Sequence, residues 1–168
     1  KNKNNIDARY YLSQCQLAQS KYSEGWLNFE YRWLANEYDS MKFKTNLPKF
    51  KFNTGKKNLL LWGEQGVGDQ ILFMRFLKDI EIHVENLYVK IDKRLHPILS
   101  RSFPSVNFFN DDIVVNLDCH LPFGDLPSLF VSDSSYFFKN KNHYIKSDFI
   151  NIKKMKSNYK TKGKSLCG

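Results

Sequence analysis

The chain has 168 residues, of which 42% are hydrophobic and 15% aromatic, which suits one ordinary folded domain, or a small one with part of another, and excludes a disordered chain. No apolar run approaches the ~18 residues of a membrane-spanning helix, and no secretory leader is visible. The net charge of +9 comes almost wholly from the last thirty residues, where nine Lys face one acid, Asp148; lysine rather than arginine carries it, so no specific nucleic-acid partner is expected.

Residues 5 to 36 read as two helices. Asp7 is the expected cap of the first, whose apolar stripe is Ala8, Tyr11, Leu12, Cys15 and Ala18. The second offers Trp26, Phe29, Tyr31 and Trp33, with the break near Ser20-Lys21. This is the size of one tetratricopeptide unit, a hairpin that normally stacks on neighbours. Residues 37 to 57 lack periodicity and carry Asn46, Pro48, Asn53 and Gly55, the mark of a linker, with Phe50 and Phe52 able to staple it down.

From Asn58 the pattern becomes α/β. A strand over Asn58 to Trp62 is followed by three glycines in six residues, then by Phe73, Phe76, Leu77 and Ile80 at helical spacing, predicting a helix from about Asp69 to Ile80. Leu87 to Ile91 reads as the second strand, and Asp92 as the cap of a helix through Ser102, which Pro97 kinks or shortens. Short strands are expected at Val106 to Phe109 and Ile113 to Leu117, then a turn-rich segment with a helix near Leu126 to Val131. Asp148 caps a helix over Phe149 to Tyr159, and Lys164 to Cys167 reads as a strand cut at its loop, so a fragment is expected. Alternating strands and helices predict a parallel, Rossmann-like sheet with helices on both faces and ligands at the carboxyl ends of its strands.

The glycine-rich loop decides the chemistry. Gly63 and Gly68 have the spacing of a P-loop, but Asp69 and Gln70 stand where Lys and Ser/Thr should be, and a carboxylate there repels a triphosphate. The dinucleotide pattern fails because the glycines run G-x-x-G-x-G. The kinase loop requires the same order and a strand after it. What remains is a loop presenting an acid. Asp69 is either a first-turn or N-cap acid that accepts backbone N–H bonds, or a general base facing a substrate hydroxyl. Glu64 and Gln65 could bind sugar hydroxyls or tie the loop to its own backbone. His120, with Asp118 on the same face two residues before, could stand at the mouth of the sheet or be structural. Arg75 reads as a structural ion-pair partner. His83, His96 and His143 lack metal-ligand spacing, and Cys15, Cys119 and Cys167 form no C-x-x-C pair, so no metal site is expected and the cysteines read as buried small residues.

The run Gly63-Glu64-Gln65-Gly66-Val67-Gly68-Asp69-Gln70-Ile71 resembles the first glycine loop of the bacterial glycosyltransferase family 9-like domain, related to ADP-heptose:lipopolysaccharide heptosyltransferases, in proteins where that domain follows tetratricopeptide repeats. Tyr22 to Trp26 with Tyr31-Arg32-Trp33 resembles the last repeat of those proteins, and Pro48 to Lys56 their linker. His120-Leu121-Pro122 with Asp125 to Phe130 resembles a later segment, although Asp125 stands where a Ser is usual. The resemblance implies a repeat hairpin over 1–36, a linker over 37–57 and, over 58–168, the incomplete N-terminal acceptor lobe of a two-lobed GT-B enzyme.

It further implies that Asp69 deprotonates an acceptor hydroxyl, which attacks the anomeric carbon of a nucleotide sugar with inversion, without metal or other cofactor. Gly63, Glu64, Gln65, Gly66, Gly68, Gln70 and His120 are the expected substrate-binding residues. The nucleotide-sugar donor would bind a second lobe absent from this chain, so the chain alone is expected to be inactive. The acceptor would be a glycan or a protein, the repeats would bind a protein partner, and the location would be the cytoplasm, peripheral at the inner membrane. The lysine-rich end would favour an anionic surface or a phosphorylated acceptor. A second reading is a tetratricopeptide scaffold whose transferase-like domain is degenerate; a third is a nucleic-acid binder using the lysine-rich end, which predicts strongly salt-dependent binding to any polyanion.

Overall fold

A computed structural model describes residues 5–35, 42–52, 55, 57–109, 116–139 and 143–159. Helix α1 spans Ile6–Ala18 and α2 spans Tyr22–Phe29, continued by a 3-10 turn over Glu30–Leu34. The cap of α1 is Asn5 rather than Asp7: the Asn5 side chain accepts from the Ala8 N–H at 3.2 Å, while Asp7 lies in the first turn. The chain turns at Ser20, whose φ of 60° lies in the left-handed region, where a short polar residue is tolerated.

The expected stripe on α1 faces the wrong way. Tyr10 and Ser13 are its buried residues, whereas Tyr11 and Leu12 are about half exposed and Ala8, Cys15 and Ala18 are exposed. What selects the face is the close approach of α2: a Cβ on Gly25 would lie 2.7 Å from Leu17 Cδ2. Only a glycine lets the helices meet there. Tyr10, Phe29 and Ala35 then form a small core of their own.

Four strands build a parallel sheet in the order β3-β2-β1-β4, with β1 at Asn58–Trp62, β2 at Asn86–Lys90, β3 at Asn107–Phe109 and β4 at Cys119–Pro122. This is a Rossmann-like α/β fold. In register, Leu60 stands opposite Tyr88 on one side and His120 on the other. Leu59, Leu61, Leu87, Val89 and Leu121 point into the main core, where each buried aliphatic side chain contributes about 1.5–3 kcal/mol. They meet α3 (Val67–Phe73), a 3-10 turn at Met74–Phe76, α4 (Leu77–Glu81) and α5 (His96–Ser102).

Several boundaries differ from expectation. The first crossover helix starts at Val67, before Asp69, and is split by the 3-10 turn. Asp92 does cap, accepting from Arg94 N at 2.9 Å, but it opens a 3-10 turn at Lys93–Leu95, and Pro97 falls in the first turn of α5, where its missing N–H costs nothing. Cys119–Pro122 forms β4; of the strand expected at Ile113 to Leu117, residues 116 and 117 are not strand and 113–115 lie outside the described residues, as does the expected strand at 164–167. The β1–β2 and β2–β3 crossover helices pack on the Leu59–Leu61 face, whereas Trp62 on the other face meets Trp33, in the 3-10 turn of the hairpin, and the ring of Phe43.

Beyond the sheet come a 3-10 turn at Phe123–Asp125, then α6 (Leu126–Phe130), α7 (Ser135–Lys139) and α8 (Phe149–Asn158). Asp148 caps α8 as expected, accepting from Ile150 and Asn151. The segment before β1 is pinned as the aromatics predict: Phe50 is buried, Phe52 packs on His83 and Phe130, and Phe50 N donates to His120 O at 2.9 Å. Arg75 lies over the Tyr136 and Phe137 rings. Cys119 is buried but Cys15 is exposed, contrary to expectation, because the exposed face of α1 carries it. Among the described residues no helix is long and apolar enough to cross a membrane.

Candidate active site

The strand order reverses beside β1, with β2 and β4 on its two sides. In open α/β sheets the crevice at such a reversal is where ligands gather. Here Arg32 of the hairpin fills it. Its Nε donates to Glu64 Oε1 at 2.8 Å and its Nη2 to Asp125 Oδ1 at 2.5 Å, joining the loops that leave β1 and β4, and Nη1 donates to Phe29 O at 3.2 Å. All three charged residues are buried. The Lys49 ammonium closes the cluster, 2.8 Å from both Asp125 Oδ2 and Glu30 Oε1. Burial pushes the Glu64 carboxyl up to about 7, the Arg32 charge offsetting only part of that desolvation.

Glu64 thus docks the hairpin through Oε1, while its Oε2 is buried without a hydrogen-bond partner among the described residues. Gln70 is also spoken for: its amide donates to Gln65 O at 2.9 Å and accepts from Asp92 N at 3.1 Å, tying the glycine loop to the end of β2. Gly63 exists for this packing, since a Cβ there would sit 2.6 Å from Gln70 Cδ. His120 lies within β4, opposite Leu60, where Trp62 Nε1 donates to its Nδ1 at 3.1 Å and the rings stack. Asp118 binds Asn58 N at the starting end of β1, so the pair is not at the mouth of the sheet. Burial lowers the His120 pKa, with Asp125 opposing.

The remaining loop residues do share a cavity. A cleft of about 440 Å³ lies between the hairpin and the loop, with Gln65, Gly66 and Asp69 on one wall and Tyr10, Gln14 and Trp26 on the other, a volume in the range of small-ligand sites. Gly66 occupies the N-cap position of α3 in extended conformation without a side-chain bond, and Asp69 follows in the first turn. Asp69 is exposed, and among the described residues it accepts no hydrogen bond, so it complements the helix dipole without being consumed as a cap. Gly68 is exposed, with open space where its Cβ would be. Among the described residues no cluster of His, Cys, Asp and Glu could hold a metal ion.

The sequence reading missed Arg32, Asp125 and the hairpin wall. One signal was available: an Arg flanked by Tyr31 and Trp33 sits where solvent-facing charge is not expected, and Asp125 departs from its expected Ser.

Compared with known proteins, the chain is similar to Protein FlbA of Caulobacter vibrioides, 31% identical over 99 residues. The match takes in 54% of this chain but only 16% of FlbA. No protein-family model matches the chain, and no solved structure matches it.

Proposed function

We propose that the chain is the acceptor-binding part of an inverting glycosyltransferase, with Asp69 as the general base. The observation that carries this is the Asp69 carboxylate, exposed in the first turn after the glycine loop, unengaged by the described residues, and on the wall of the cleft. An acceptor hydroxyl bound there gives its proton to Asp69 as its oxygen attacks the anomeric carbon, and the nucleoside diphosphate departs with the electrons of the broken bond. The donor is held by a second lobe. The resemblance of the loop to family 9-like transferases supports this reading. On it, the chain works in the cytoplasm, with Lys153, Lys154 and Lys156 of α8 available to an anionic membrane surface.

The test is transfer by the full-length protein from a panel of nucleotide sugars, comparing wild type with Asp69→Asn. Loss of about 10²–10⁴ in rate with the fold intact is expected; equal rates would overturn the assignment. A second reading has its own observation. Arg32 occupies the crevice that ligands use in this fold, as a scaffold with a degenerate transferase-like domain would allow. Absence of transfer from every donor, with both proteins folded, would favour it.

A further inference from the structure

We infer that the acceptor taken between the hairpin and the glycine loop is an uncharged saccharide, and that the hairpin supplies one wall of its binding site. This rests on the proposed glycosyl transfer but concerns binding alone. None of the ten residues lining the cleft is Lys, Arg or His, and one is Asp69. The neighbouring cations are committed elsewhere, Arg32 to Glu64 and Asp125, and Lys49 to Asp125 and Glu30. Among the described lining residues a phosphorylated acceptor would therefore meet a carboxylate and no cation. Among the described residues, no lysine lines this cavity.

What the lining does offer is neutral hydrogen bonding beside aromatic surface. Gln14 stands on the hairpin wall, and its carboxamide both donates and accepts, as vicinal hydroxyls require. Trp26 and Phe29 provide apolar surface for the C–H face of a sugar ring. The Trp26 indole N–H is buried without a hydrogen-bond partner among the described residues, and Trp26 also lines a second cavity beside Ser23 and Ser128, so only its ring is assigned to this cleft. A peptide acceptor bound as an added strand would need a sheet edge. The walls here are α1, α2, α3 and a loop, with no strand among them.

The experiment is ligand-observed NMR on the full chain with four methyl glycosides (glucoside, galactoside, mannoside and N-acetylglucosaminide), glucose 6-phosphate and a neutral serine-containing peptide. At least one glycoside should bind in the millimolar range, weakened about tenfold in Gln14→Ala, the worth of roughly one or two hydrogen bonds. Glucose 6-phosphate should bind wild type at least about tenfold more weakly than the best glycoside, and Asp69→Lys should reverse that order. Binding of no glycoside, tighter binding of the phosphate or the peptide by wild type, or indifference to Gln14→Ala in a folded variant would each overturn the inference. Glycoside binding with no transfer by the full-length protein from any of the nucleotide sugars would sink the transferase reading and leave this one standing. Asp69-dependent transfer to a phosphorylated acceptor would do the reverse.

Discussion

Arg32 Nε donates to Glu64 Oε1 across 2.8 Å with Nη2 2.7 Å from the same oxygen, and this buried pair fastens the helical hairpin to the loop that leads into Asp69. The hairpin is thereby part of the site, because the same loop forms the wall that faces Tyr10 and Gln14.

Removing the guanidinium leaves two buried carboxylates facing each other. Arg32→Ala should cost about 3–5 kcal/mol in unfolding free energy measured by denaturant titration. Arg32→Lys should also destabilise, because an ammonium cannot reproduce the fork that reaches Glu64, Asp125 and Phe29 O together. A variant as stable as wild type would show that the hairpin docks through its aromatic contacts alone.

Glu64 makes stability depend on pH with a definite sign. Its carboxyl is raised in the folded chain to about 7 from an ordinary value of 4.5. The folded state thus holds the proton more tightly than the unfolded one, so the contribution is full below pH 4.5 and is lost as pH rises to about 7. Glu64→Gln should remove that slope, gaining on the order of 1–3 kcal/mol relative to wild type between those pH values. Parallel stability curves for the two proteins over that range would refute this.

Three glycines should respond differently to alanine. In Gly124→Ala the new Cβ would fall 2.3 Å from Glu64 Oε1, and in Gly63→Ala 2.6 Å from Gln70 Cδ. Each should lose about 1–3 kcal/mol from forced repacking. Gly68→Ala meets open space inside a helix and should be neutral or stabilising by up to about 1 kcal/mol. Thermal melts of the three variants check the order.

The thiols should also separate. Burial, with Asp118 nearby, pushes the Cys119 thiol up to about 11, whereas Cys15 is exposed. Under native conditions at pH 8 a maleimide should label Cys15 within minutes and reach Cys119 only after denaturation, as read by peptide mass spectrometry. Rapid native labelling of Cys119 would show that β4 opens easily.

Local signals in the sequence determined the hairpin and its break, β1, the cap at Asp148, the parallel α/β class and the glycine loop with its acid. Those features rest on interactions between near neighbours: hydrophobic period, capping by a side chain a few residues away, and the backbone freedom of glycine. Tertiary structure decided the rest. Which face of α1 is buried depends on how closely Gly25 lets α2 approach, and the fourth strand depends on the edge of β1 to which Cys119–Pro122 pairs. Glu64 and Gln70 became structural because Arg32, 32 residues before Glu64, and Asp92, 22 residues after Gln70, end up beside them. No local pattern records such partners, since a buried charge is assigned its role by the residues that fold against it.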